Sequence, residues 1–119
     1  MPHIIIRTNV KKSDDESKKI ATTAGHVLAE AIKKQESYVM SELQYNASLV
    51  FGGSDEPCAV VEVKSIGRID EEKNAHYTVE LCRFVFAALD VKPERTYIQF
   101  TDFAGHCWAW NGNTFKPKE

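Results

Sequence analysis

Met1-Pro2-His3-Ile4-Ile5-Ile6 opens the chain, and the fold turns on how that run is read. Consecutive β-branched residues this close to a terminus predict a strand that enters the core at once. Such a strand ties down an end that would otherwise fray. Pro2 stands at its first position, where a missing backbone N–H costs no ladder bond. Proline at position 2 is also small enough for the initiator Met to be removed, which leaves a free secondary amine. Two readings of Pro2 stand side by side: a strand starter, or a positioned base at the head of a buried strand.

Working outward, the first strand runs from Pro2 to about Val10. Ser13-Asp14-Asp15-Glu16 is a capping box with acids at the positive end of a helix dipole. Ile20, Ala24, Val27, Leu28 and Ala31 then recur at helical spacing, and Lys33 and Lys34 are expected to close the last turn. A second strand is predicted from about Tyr38 to Gln44. Phe51-Gly52-Gly53-Ser54-Asp55-Glu56-Pro57 follows, a turn-rich loop without the Lys or helix of a phosphate loop. Cys58-Ala59-Val60-Val61-Glu62-Val63 predicts strand three, ending at Ser65-Ile66-Gly67. Asp70-Glu71-Glu72 is an acidic helix start, with Ala75, Val79, Cys82, Val85, Phe86 and Leu89 as the expected apolar stripe. Val91-Lys92-Pro93 breaks that helix, and Thr96-Tyr97-Ile98-Gln99-Phe100 makes strand four.

Asp14–Tyr38 overlays Asp70–Tyr97 in acidic start, stripe, break and Tyr-led strand, at an offset drifting from about 56 to 59. The chain therefore reads as a β-α-β unit present twice, each with parallel strands and a right-handed crossover. The fold class is α/β of the α+β kind: a four-stranded mixed sheet with both helices on one face. The tail from Gly105 to Phe115 predicts a short strand and turn. Unbroken apolar runs such as Ala59-Val60-Val61 suggest strands buried on both faces. Two helices cover only one face, so self-association is the economical expectation.

The chain has 119 residues, enough for one domain spanning residues 1–119 and no second core. Apolar residues make up 43% and charged residues 27%, as in an ordinary globular protein. A formal net charge of −2 gives no electrostatic case for nucleic acid or anionic membrane. No apolar run approaches a membrane span, and no secretory leader follows Met1. Cys58, Cys82 and Cys107 are odd in number and widely spaced, which suggests reduced thiols in the cytoplasm rather than a disulfide framework or zinc site. His3, His26, His76 and His106 lack metal-ligand spacing, so no metal or cofactor is expected.

Pro2…Thr8-Asn9, Phe51-Gly52-Gly53-Ser54-Asp55-Glu56-Pro57-Cys58, Lys64-Ser65-Ile66-Gly67, Tyr97-Ile98 and Trp110-Asn111-Gly112-Asn113-Thr114-Phe115 are jointly very specific. On these residues the chain resembles the macrophage migration inhibitory factor family of the tautomerase superfamily, over essentially its whole length. The resemblance implies a homotrimer whose sheets form a central barrel, with an active site at each subunit interface. It implies keto–enol tautomerisation of phenylpyruvate-like or dopachrome-like substrates, with processed Pro2 as general base. Lys34 matches the lysine that binds the substrate carboxylate, with Lys33 as fallback because this stretch carries one extra residue. Ile66 matches the position whose backbone N–H helps hold that carboxylate. Tyr97 matches the tyrosine supplied by the neighbouring subunit, and Trp110 and Phe115 match aromatic pocket positions.

Departures from the family pattern are informative. Gln99 replaces the usual pocket asparagine, so amide chemistry survives with a longer reach. Trp108 stands where a smaller aliphatic residue is common. Val61 replaces the second thiol of a Cys-x-x-Cys pair, so Cys58 lacks a resolving partner for dithiol chemistry. Lys12 and Asn46 occupy the positions linked to chemokine-receptor mimicry, and the acidic member is missing. The alternative reading is a cytokine-like ligand exported without a signal peptide and acting through a cell-surface receptor. A trimer with no remaining catalytic use is a third.

Overall fold

The computed structural model describes residues 1–115. β1 spans Pro2–Thr8, starting where the apolar run starts. α1 spans Asp14–Ile32, β2 Met40–Tyr45, β3 Ala59–Ser65, α2 Glu71–Leu89 and β4 Thr96–Asp102. A short hairpin of β5, Ala109–Trp110, and β6, Asn113–Thr114, follows. The sheet order is β2-β1-β3-β4, with β1/β2 and β3/β4 parallel and β1/β3 antiparallel. That is the doubled β-α-β unit, joined back to back through β1 and β3.

The two halves repeat down to their caps. Ser13 accepts the N–H of Glu16, and Asp70 accepts the N–H of Lys73. Each helix runs 19 residues and ends on a residue in the left-handed region, Lys33 or Asp90. These ends differ from expectation at α1, which stops at Ile32, so Lys33 and Lys34 lie outside its last turn. The αL residue reverses the chain there and turns Lys34 back over the sheet. β2 begins two residues later than predicted because Glu36–Tyr38 form a 3-10 turn.

The core lies between sheet and helices. Ile4, Ile6, Val61 and Val63 pack against Leu28, Ile32, Leu81 and Val85, all essentially buried. In α2 the buried face is Tyr77, Leu81, Val85 and Leu89, which keeps Val85 and Leu89 of the expected stripe and replaces the rest. Val79 and Phe86 are about half exposed, at 53% and 48%. Two overlapping apolar stripes occur on this helix, and packing takes the one containing the larger Tyr77 and Leu81.

The other face of the sheet corrects a second expectation. The register places His3, Ile5 and Arg7 of β1 beside Met40, Glu42 and Gln44 of β2 and Val60, Glu62 and Lys64 of β3. His3 pairs with Glu42, and Arg7 with both Gln44 and Glu62. Ile5 is buried at 5% because these long polar side chains close over it. The strands are thus not apolar on both faces: beside exposed Met40 and Tyr97, this face carries a network of charged and amide side chains.

Two polar side chains fix the loop before β3. Asn9 Nδ2 donates to the carbonyls of Leu49, Asp55 and Glu56, while its Oδ1 accepts the N–H of Cys58. Arg95 donates to the carbonyls of Phe51, Ser54, Glu56 and Pro57 and lies 5.2 Å from the Phe51 ring centre. The cysteines are unbridged: Cys58 is buried, Cys82 half-buried and Cys107 exposed.

Candidate active site

Pairing of Pro2 with Ser65 sets the chain start beside the end of β3. The reversal after α1 brings Lys34 to the same place. Its Nζ donates to the Ile66 carbonyl at 2.7 Å and to Ser65 Oγ at 3.2 Å. Around this junction opens a cleft of about 430 Å³, with Met1, Lys34 and Ile66 in its wall. That size suits a small organic ligand. Trp110 and Phe115 complete the aromatic side. Asn111 and Gly112, with φ of 52° and 77°, form the two-residue turn of the β5–β6 hairpin that presents Trp110. Asn-Gly suits this turn because both central positions need positive φ. Tyr38 meets the Trp110 ring edge-on, with centroids 5.8 Å apart.

Electrostatics single out the terminal amine. The Met1 amine has its pKa lowered from 8.0 to about 6, chiefly by burial and then by the hydrogen bond and charge of Lys34. Both effects disfavour the protonated form. Lys33 and Arg68 also line the cleft, and among the described residues no carboxylate does. The arrangement offers an amine that is unprotonated near neutral pH, facing apolar rings beside fixed positive charge. It is suited to removing a proton from carbon while holding an anion.

The residues singled out from sequence divide into two places. Lys34, Ile66, Trp110 and Phe115 share the cleft, and the fallback Lys33 lines it too. Pro2 lies immediately behind Met1, its ring fully buried, in an adjoining hollow with His3 and Trp108. With Met1 present the Pro2 nitrogen is an amide, so the free amine here belongs to Met1. Tyr97 and Gln99 stand elsewhere, on β4 at the edge of the sheet. Tyr97 is 61% exposed and leans on Phe51, with centroids 4.8 Å apart, beside a separate hollow. Trp108 packs edge-on against Phe103, with ring centroids 5.3 Å apart.

Sequence reasoning missed Tyr38 and Arg68 as cleft residues. Tyr38 was legible only as a strand leader, because nothing local reveals that the 3-10 turn aims it at Trp110. Arg68 directly follows Ser65-Ile66-Gly67, so its position beside a quoted motif was the available signal. Among the described residues no helix is long and apolar enough to cross a membrane. Nor do three or more His, Cys, Asp or Glu side chains gather there as a metal site.

Comparison with known proteins gives a consistent result. The family model described as macrophage migration inhibitory factor matches residues 1–116. A macrophage migration inhibitory factor homolog from Brugia malayi is 36% identical over 115 residues, covering 97% of this chain and 99% of the relative. The macrophage migration inhibitory factor of Mus musculus is 30% identical over the same coverage. Among solved structures, the homologue from Prochlorococcus marinus aligns with a TM-score of 0.88 at 34% identity, covering 95% of this chain and 98% of the other. On sequence and fold, this chain belongs to the macrophage migration inhibitory factor family.

Proposed function

We propose that the protein is a keto–enol tautomerase of phenylpyruvate-like or dopachrome-like acids, with Pro2 as general base once Met1 is removed. The observation that carries this reading is the terminal amine, held in an apolar cleft beside Lys34 with its pKa lowered to about 6. Removal of Met1 moves the terminus back by one residue, to the proline at the head of β1. A secondary amine there takes a proton from the carbon next to the substrate carbonyl and returns it to form the other tautomer. Lys34 pairs with the substrate carboxylate and steadies the developing enolate. Trp110 and Phe115 hold the aromatic ring, and the backbone N–H of Ile66 meets the carboxylate.

Tyr97 and Gln99 enter this reading through assembly. In a homotrimer the exposed Tyr97 edge of one protomer lies against the cleft of the next. The polar sheet face then lines the barrel interior, which explains why that face carries an ion-pair network instead of a second core. No cofactor or metal takes part. Family membership supports tautomerase activity in general, and it equally supports a cytokine-like role through a cell-surface receptor. The setting is cytoplasmic in the first case and extracellular in the second.

The test compares processed and Met-extended protein. Processed wild type should tautomerise phenylpyruvate, and Pro2→Gly should lose about 10²-fold or more, as general bases contribute 10²–10⁴. Light scattering should give a trimer for both. Equal turnover by processed and Met-extended forms would overturn Pro2 as base. Receptor-dependent signalling that survives Pro2→Gly, with no turnover by wild type, would favour the cytokine-like reading.

A further inference from the structure

The cleft carries more positive charge than one carboxylate needs. Lys34 is committed to the β3 end, where it bonds Ile66 and Ser65. Arg68 lies at a different rim. The cleft shares Met1, Tyr38 and Trp110 with the hollow around Pro2, but shares Lys33 and Arg68 with a hollow along α2. The amine and the guanidinium thus line the same cleft but border different neighbouring hollows.

The backbone around Arg68 is held in an uncommon shape. Gly67 and Arg68 have φ of 74° and 58°, two consecutive left-handed residues of which the second carries a long side chain. Residues with a Cβ rarely adopt that conformation. Here it is fixed from several sides. Gly67 donates its N–H to Asp102 Oδ1 at 2.9 Å, and Tyr77 Oη donates to the Arg68 carbonyl at 2.7 Å. Arg68 Nη1 donates to the carbonyls of Ile32 and Lys33 at the end of α1. Those contacts use one nitrogen of the guanidinium. Its Nε and Nη2 have no partner among the described residues, and the group remains exposed to the cleft.

We propose that Arg68 is a second anion-binding residue of this cleft, and that the ligand class is dianionic. The ligand is an enolisable 2-oxo acid whose far end carries another carboxylate or comparable anion. The 2-oxo acid end meets Lys34 beside the amine, and the far anion meets the free edge of the Arg68 guanidinium. A planar guanidinium donates two parallel N–H bonds to one carboxylate, a fork geometry that a lysine cannot match. The enolisable part of this assignment rests on the proposed tautomerase function. The dianion preference does not.

The test uses a non-reactive pair, phenylacetate and 4-carboxyphenylacetate, titrated against processed wild type by tryptophan fluorescence. The dianion should bind about tenfold tighter, a charge-assisted contact at a partly exposed site. That advantage should shrink as salt is added. Arg68→Gln should abolish the preference by weakening the dianion about tenfold more than phenylacetate, and Arg68→Lys should restore only part of it. If Arg68 serves only to cap α1, its variants lower the melting temperature and leave the ratio of the two affinities unchanged, which overturns the proposal. Equal binding of both ligands by wild type overturns it without any variant. A dianion preference without phenylpyruvate turnover would refute the tautomerase reading and leave the anion site standing. Turnover with no preference would do the reverse.

Discussion

Removing the Arg95 guanidinium should release the Phe51–Pro57 loop, and the size of the effect follows from its contacts. Arg95 Nη1 reaches the Phe51 carbonyl at 3.2 Å and Nη2 the Ser54 carbonyl at 3.1 Å, both partly buried. Its bonds to Pro57 and Glu56, each 3.0 Å, are exposed. Water replaces the exposed pair at little cost. The two partly buried bonds contribute about 1 kcal/mol each, and the cation over the Phe51 ring about 0.5 kcal/mol more. Arg95→Ala should therefore destabilise the protein by about 2–3 kcal/mol. Arg95→Lys should recover less than half, because an ammonium cannot span four carbonyls set around a planar fork. Urea unfolding at matched protomer concentration reads this as a lower midpoint with unchanged m. Hydrogen exchange should quicken at Ser54 and Phe51, whose amides close the loop on each other. A loss under about 0.5 kcal/mol, or full recovery by lysine, would refute the argument that the guanidinium holds the loop. Because Phe51 supports Tyr97, the alanine variant should also weaken turnover wherever Tyr97 serves a neighbouring cleft.

The remaining expectations concern α2 and the terminal amine. Leu81→Ala should cost about 3 kcal/mol and Val79→Ala less than about 0.5 kcal/mol, since only Leu81 is buried; comparable losses on thermal or urea unfolding would contradict the packing face. In Met-extended protein, Lys34→Met should raise the amine pKa from about 6 part of the way toward 8.0, because burial remains as the larger cause. The lowered folded pKa means the unfolded chain holds this proton more tightly. Its contribution to stability is therefore full above the ordinary pKa of 8.0 and lost as pH falls through about 6. Acylation of the amine across that pH range should shift its midpoint upward in the variant; an unmoved midpoint would remove Lys34 as a cause.

Most of the fold was written locally. The capping residues Ser13 and Asp70 start both helices within one residue of expectation, because a side-chain acceptor for the first N–H groups is a short-range device. The doubled unit was visible for the same reason: strand, cap and stripe are each set by neighbours in sequence. Lys34, Ile66, Trp110 and Phe115 could be named from motifs, and they share one cleft with the terminus.

What local pattern left open was decided by distant partners. α2 offers Val79 and Phe86 as readily as Tyr77 and Leu81, and only contact with the sheet chooses between two faces of one helix. The run Ile4-Ile5-Ile6 looks apolar on both sides, yet Ile5 is covered by Glu42, Glu62, Arg7 and His3, brought together by strand register. Lys34 counts as a helix-end cation in sequence; the αL turn at Lys33 sends it to Ile66. Arg68 was legible only as a neighbour of Ser65-Ile66-Gly67, because its place in the cleft depends on α1, Tyr77 and Asp102 converging around one turn with two positive-φ residues. The sequence by itself determined where most elements begin and that the β-α-β unit is doubled, because caps and periodicity are local. Tertiary structure alone decided which faces are buried and which charges meet, because those depend on residues far apart in the chain.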